Sequence, residues 1–174
     1  MDDNRRNSFE ESMEHMNNMR TMKDIEKCGC VYKKVKQFKR NFRSTICWRL
    51  KAHSKVIEKH LNPGELVNYA FAAQKGYSSF DIFSTFVVVL TNKRILLAQK
   101  RLLFGYTFLA ITPDMFNDLT VKSGIIWGKI YIDTIKEIVI VSNVSKAALD
   151  DIETEVTEYM MREKKKYHKP VEDR

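Results

Sequence analysis

Two short apolar runs, set off by turn residues, lead straight into an amphipathic helix between Ser123 and Met160, SGIIWGKIYIDTIKEIVIVSNVSKAALDDIETEVTEYM. No other stretch limits the fold as much. Several hairpin-like runs precede it, and strands ending in a single helix suggest a small β-barrel or sandwich that the helix closes. Ser145 is expected to cap that helix. Asp150, Asp151 and Glu153 gather at its start and Lys164, Lys165 and Lys166 at its end, both as the helix dipole favours. Leu149, Ile152, Val156, Tyr159 and Met160 form one apolar stripe, expected to cover an open end or seam of the barrel.

The preceding runs supply the strands. Asn62-Pro63-Gly64 is a turn signal, and Glu65–Gln74 then alternates. Leu66, Asn68, Ala70 and Ala72 share one face, with Val67, Tyr69 and Phe71 on the other. Further strands are expected at Thr85–Leu90, Ile95–Gln99, Tyr106–Ile111, Phe116–Lys122, Ile125–Asp133 and Ile135–Val141. Thr91-Asn92-Lys93-Arg94 reads as a hairpin turn, with Asn92 suited to positive φ and Lys93 and Arg94 charged and facing water. Residues 102–105 read as one more turn. Gly124 and Gly128 mark places where a strand bends or another backbone comes close.

The charge is concentrated in one place. The formal net charge is +8, yet residues 31–60 alone carry +9, with ten Lys and Arg against the single acid Glu58. Val31, Val35, Phe38, Phe42, Ile46 and Leu50 recur there at helical spacing, and neither Pro nor Gly interrupts the segment. The spacing predicts a basic amphipathic helix over about 31–61. Three uses are open to it. Its apolar stripe can pack on the neighbouring domain or on a second copy of the chain. It can lie on anionic lipid, with Lys33, Lys34, Lys36, Lys39, Arg40 and Arg43 as the anionic-surface contacts and Phe38, Phe42 and Trp48 as the apolar anchor. Or it can neutralise nucleic-acid phosphates, although its aromatics share the apolar face instead of alternating with the charges.

Residues 1–58 thus read as an N-terminal helical extension, 59–163 as the barrel domain, and 164–174 as a disordered basic tail. Within the extension a Met-rich helix is expected from about Phe9 to Lys27, bent near Cys28-Gly29-Cys30. The first residues hold no apolar core of a secretory signal, and no apolar run approaches the roughly 20 residues that span a bilayer. The expected location is cytoplasmic, free or peripheral at the inner face of the membrane. Cys28, Cys30, Cys47 and His53 can be drawn as a zinc site, but Cys-x-Cys is shorter than usual ligand spacing. Unligated thiols and no metal are expected.

The stretch from about His60 to Met161 resembles the bacterial pleckstrin-homology-like domains, in particular the YokE-like group. The residues carrying the resemblance are His60-Leu61-Asn62-Pro63-Gly64-Glu65, Val89-Leu90-Thr91-Asn92-Lys93-Arg94-Ile95-Leu96, Gly124-Ile125-Ile126-Trp127-Gly128-Lys129-Ile130 and the closing Val144–Tyr159 helix. The resemblance implies an α+β architecture, a PH-like seven-stranded bent β-barrel or sandwich with a C-terminal capping helix. The N-terminal helical extension lies outside it. Eukaryotic relatives bind phosphoinositides through a Lys/Arg cluster around the first hairpin loop. Here Gln74–Ser84 offers Lys75 alone, with Asp81 beside it, so that specificity is not expected.

No catalytic constellation is visible: no Gly-rich phosphate loop, nucleophile elbow or metal-binding His pair. The reading is therefore a non-enzymatic binding or scaffold module with no cofactor. Its partner would be a protein or an anionic membrane surface, with nucleic acid or self-association through the basic arm as alternatives.

Overall fold

Strand β1 (Val67–Lys75) is covered on both faces, and the rest of the architecture follows from that fact. In the computed structural model, which describes residues 30–76 and 82–167, Phe71 and Ala73 of β1 point into one apolar core and Ala70 and Ala72 into another. β2 (Thr85–Thr91) is divided in the same way, with Phe86, Val88 and Leu90 inside and Val87 and Val89 outside. A strand alternates its side chains between two faces, so a run as apolar as TFVVVLT needs a layer on each side.

The sheet is antiparallel and seven-stranded, in the order β4-β3-β2-β1-β7-β6-β5. Its other members are β3 (Ile95–Lys100), β4 (Tyr106–Ile111), β5 (Phe116–Ser123), β6 (Trp127–Thr134) and β7 (Ile138–Ser145). β1 bridges the halves, pairing with β2 along its length and with β7 only at Gln74 and Lys75. The sheet curls into a half-barrel. All seven expected strands are present, with shifts at their ends; the last two begin later, at Trp127 and Ile138.

Three helices complete the described fold: α1 (Cys30–Asn41), α2 (Leu50–Glu58) and α3 (Leu149–Tyr167). α3 sends Leu149, Ile152, Val156, Tyr159 and Met160 into the barrel core, as its stripe predicted. It reaches Tyr167, so the start of the expected disordered tail is helical; residues 168–174 lie outside the described residues. Ser145 does not cap α3. It ends β7, and a short 3₁₀ turn at Lys146–Ala148 intervenes.

The single helix expected over 31–61 is two helices. The chain leaves α1 after Asn41 and enters α2 through Arg49, whose backbone is left-handed at φ 52°. Between them, Ile46 N–H donates to Asn143 O (3.2 Å), Ser145 N–H donates to the Thr45 hydroxyl (3.0 Å), and Ser44 and Ser145 share a hydroxyl contact of 2.7 Å. These bonds to the end of β7 replace the intrahelical ones. Asn143, at φ 57°, takes the left-handed conformation that Asn tolerates better than most residues.

α1 and α2 lie on the outer face of β1–β3. Val31, Val35, Val56, Ile57 and Leu61 form the second core there with Ala70, Ala72, Val87, Val89, Leu96 and Ala98. Glu58, the one acid of the basic segment, is buried and accepts the Tyr32 N–H in the first turn of α1 (3.3 Å). A carboxylate at that end satisfies an orphan donor and suits the helix dipole. The Met-rich helix expected over 9–27 lies outside the described residues.

Candidate binding surfaces

Docking sorts by face the candidate residues of α1 and of the connection just after it. Lys33, Lys34, Lys36, Arg40 and Arg43 are exposed. Lys34 Nζ donates to Asn68 O on β1 (3.0 Å). Lys39 is half-buried, its ammonium donating to Arg43 O (2.8 Å) and to Thr45 O, where it holds the α1–α2 connection. That leaves Lys33, Lys36, Arg40 and Arg43 as the outward cations, opposite the buried Val31, Val35 and Phe38.

The proposed anchor residues divide as well. Phe38 is 4% exposed and belongs to the barrel core, 5.8 Å from the Phe71 ring and 4.8 Å from Phe42. It cannot anchor a membrane without leaving the core, and Phe42 is packed against the same cluster. Trp48 alone stays accessible, at 42%, and meets the Phe83 ring edge-on at 5.6 Å. The Arg49 guanidinium lies over the Trp48 ring, 5.5 Å from its centre.

His53 is buried beneath this corner, its Nδ1 accepting the Lys100 N–H (2.8 Å). Burial and the Arg49 charge lower its pKa to about 4, against a smaller opposing effect of a hydrogen bond to the Trp48 backbone. It is a neutral structural imidazole. Cys47 is a free thiol whose pKa is raised by burial, with Lys39 opposing. Cys30 is half-buried at the start of α1, and Cys28 lies outside the described residues. Among the described residues no three His, Cys, Asp or Glu side chains are grouped to hold a metal ion.

Arg94 corrects the reading of the β2–β3 turn as a charged turn in water. Its guanidinium folds back onto Glu65, whose side chain is wholly buried. Asn92 keeps negative φ and accepts the Leu66 N–H on its Oδ1 (2.8 Å). In the turn, Lys93 is the exposed cation.

At the end of the barrel where β1, β3 and the β6–β7 turn present Lys75, Gln99 and Glu137, an apolar hollow of about 170 Å³ leads to Phe86, Leu97, Leu109 and Val139. Among the described residues Lys75 is the only cation lining it. An anionic headgroup would find little compensation for lost water there. Asp81, in the adjoining loop, lies outside the described residues. The turn expected at residues 102–105 joins β3 to β4, but the sequence reading did not single out its side chains: Leu102, Leu103 and Phe104 stand 57%, 80% and 87% exposed. Three consecutive large apolar residues inside a turn were the available signal.

A family model described as "Bacterial PH domain" matches residues 61–158. No curated protein matches the chain. Solved structures similar to it include the C-terminal domain of an unknown protein from Leishmania infantum, 12% identical over 56% of this chain and 86% of that one, TM-score 0.42. A pleckstrin homology domain from Shewanella amazonensis is 12% identical over 63% of this chain and 82% of that one, TM-score 0.39. A DUF1696 family protein with a pleckstrin-homology domain from Shewanella loihica is 13% identical over 64% of this chain and 89% of that one, TM-score 0.42.

Proposed function

This chain belongs to the bacterial PH domain family, and from that premise we propose that it is a non-catalytic module that docks on an anionic membrane surface through the outward face of α1. PH domains are generally non-catalytic and typically bind proteins or lipids. The observation that carries the reading is the division of α1: Val31, Val35 and Phe38 are buried on the barrel while Lys33, Lys36 and Arg40 face solvent, with Arg43 exposed just beyond the helix's end. A rigid basic face held on a folded domain attracts an anionic surface without the cost of ordering a free arm. No helix among the described residues is long and apolar enough to cross a membrane, so the association is peripheral.

The test is co-sedimentation with phosphatidylcholine vesicles, with and without phosphatidylglycerol. Deleting the helices would uncover the outer core, so the variant is Lys33→Glu, Lys36→Glu, Arg40→Glu, Arg43→Glu. Each cation near such a surface contributes about 1 kcal/mol, so charge reversal removes most of the binding. Binding also weakens between about 0.1 and 1 M salt, as the screening length shrinks from about 10 to about 3 Å. Equal sedimentation of wild type and variant would refute the role of α1. Retardation of an oligonucleotide in place of vesicle binding would assign the basic face to nucleic acid.

A further inference from the structure

We propose that the tip of the β3–β4 hairpin, residues 101–105, is the part of this molecule that enters the bilayer. The proposal rests on the membrane-surface reading above and names the contact that reading leaves open.

The tip is built to project. Arg101 N–H donates to Gly105 O (3.2 Å), and Gly105, at φ +76°, makes the left-handed step that closes the turn. Leu102, Leu103 and Phe104 therefore stand in water instead of folding back on the barrel. Turns are ordinarily polar, because apolar side chains there gain nothing from folding. Isolated exposed apolar residues are common and carry no meaning, whereas a contiguous patch does.

Contiguity is met. Beside the tip, Trp48 and the 67% exposed Phe83 pack edge to face, and both line a hollow of about 190 Å³ together with Leu102, Arg49, Lys100 and Arg101. Arg49 Nη1 donates to Arg101 O (3.4 Å), which fixes the start of α2 to the base of the hairpin. Among the described residues no acid lines this hollow.

Charge and shape select the occupant. The apolar apex is followed at its base by Arg49, Lys100 and Arg101, and Trp48 and the half-exposed Tyr106 lie at the same level. Bilayers show the same order along their normal: hydrocarbon, then an interface that favours Trp and Tyr, then anionic headgroups that attract Lys and Arg. The patch protrudes, and a protruding tip needs no matching groove when its partner is fluid.

The experiment uses the full chain and vesicles of phosphatidylcholine with phosphatidylglycerol. One variant carries Leu102→Ser, Leu103→Ser and Phe104→Ser. These side chains are exposed, so its thermal melt should match wild type. Ile125→Ser, at the 95% exposed position of the β5–β6 turn, is the control for exposed apolar area in general. A third variant, Phe104→Trp in a Trp48→Phe, Trp127→Phe background, places a single indole at the apex. Removing three apolar contacts with lipid is expected to lower the partition coefficient at least about tenfold. Ile125→Ser should bind as wild type, and the introduced indole should shift to the blue and be quenched by brominated lipid.

Vesicle binding that the triple variant retains, with an unquenched indole at the apex, would overturn the tip and leave the surface reading standing. Failure of wild type to sediment with anionic vesicles at low salt would overturn both. An equal loss from Ile125→Ser would also overturn the tip's role. So would lipid-free particles of higher mass that the triple variant abolishes, since they would assign the patch to contact between proteins.

Discussion

Arg94 grips Glu65 with two parallel hydrogen bonds, Nε to Oε1 and Nη2 to Oε2, each 3.0 Å long. Glu65 also accepts the Asn62 N–H (2.8 Å) and the Thr91 hydroxyl (2.8 Å), and Arg94 Nη2 donates to His60 O (3.0 Å). The chain leaving α2 is thereby fastened to the β2–β3 hairpin, about thirty residues further on. Charge-assisted bidentate pairs are among the stronger hydrogen-bonded contacts, and this one has all its main acceptors occupied.

Removing one partner of a buried pair leaves an uncompensated charge, at a cost of about 3–5 kcal/mol. Arg94→Met is therefore expected to lower the unfolding free energy by about that amount in urea titrations. Arg94→Met with Glu65→Gln should recover part of it. A double variant no more stable than the single one would show that the pair's geometry, and not the stranded carboxylate, dominates.

The same site gives an acid dependence. Burial opposes ionisation of Glu65, but the bonds from Arg94, Asn62 and Thr91, with the Arg94 charge, outweigh it and hold the pKa below its ordinary 4.5. A depressed carboxylate stabilises the fold above the unfolded-state pKa. That contribution is lost as pH falls from there through the folded-state value. Stability curves should thus fall below about pH 4.5, and Glu65→Gln should flatten that limb.

His53 acts in a neighbouring window. Its pKa is about 4 in the fold against 6.5 ordinarily. The unfolded chain takes up the proton first, so stability present above pH 6.5 is lost as pH falls toward 4. At about 1.4 kcal/mol per unit, the full loss is about 3 kcal/mol. An NMR titration should find the His53 imidazole neutral at pH 5.5, between those two values. A midpoint near 6.5 would contradict the buried placement.

The helices of the N-terminal arm are part of the core. Phe38→Ala should cost about 3–5 kcal/mol, as for other large aromatic truncations. A fragment beginning at residue 59 would expose Ala70, Ala72, Val87, Val89, Leu96 and Ala98. It is expected to aggregate or to bind a hydrophobic dye, which light scattering and dye fluorescence would detect. A monomeric, cooperatively melting fragment would refute this.

Gly128 is required by its neighbour. A Cβ there would collide with the Leu149 side chain and stand 3.0 Å from Lys122 O. Gly128→Ala should cost about 1–3 kcal/mol by overpacking. If Leu149 is the principal obstacle, thermodynamic coupling in a double-mutant cycle with Leu149→Ala will recover part of the loss.

Particular elements show how much was legible beforehand. The stripe of Leu149 to Met160 described the inner face of α3, and the alternation in Glu65–Gln74 described both faces of β1 from Tyr69 onward; a register shift between Val67 and Tyr69 puts Val67 with Ala70 and Ala72 instead of with Phe71. In each case the period of the apolar residues is the period of the backbone. The α1–α2 break was not legible. Ser44 and Thr45 are weak helix formers but no stop signal, and the bonds that hold the connection come from Asn143 and Ser145, about a hundred residues away. Of the candidate site, the basic residues were identified by type, while their exposure was not. Phe38 looked like an anchor because periodicity marks a face as apolar without saying what it meets.

The sequence by itself determined the seven strands, the closing helix and the place of the excess charge, since these depend on local period and composition, and its motifs carried the family resemblance. Tertiary structure alone decided that the basic segment is docked, that Arg94 is an internal tie, and which apolar side chains face water. Leu102, Leu103 and Phe104 differ from Phe38 in no intrinsic property that matters here. They differ in having no layer opposite them, and only the packing of distant segments creates or withholds such a layer.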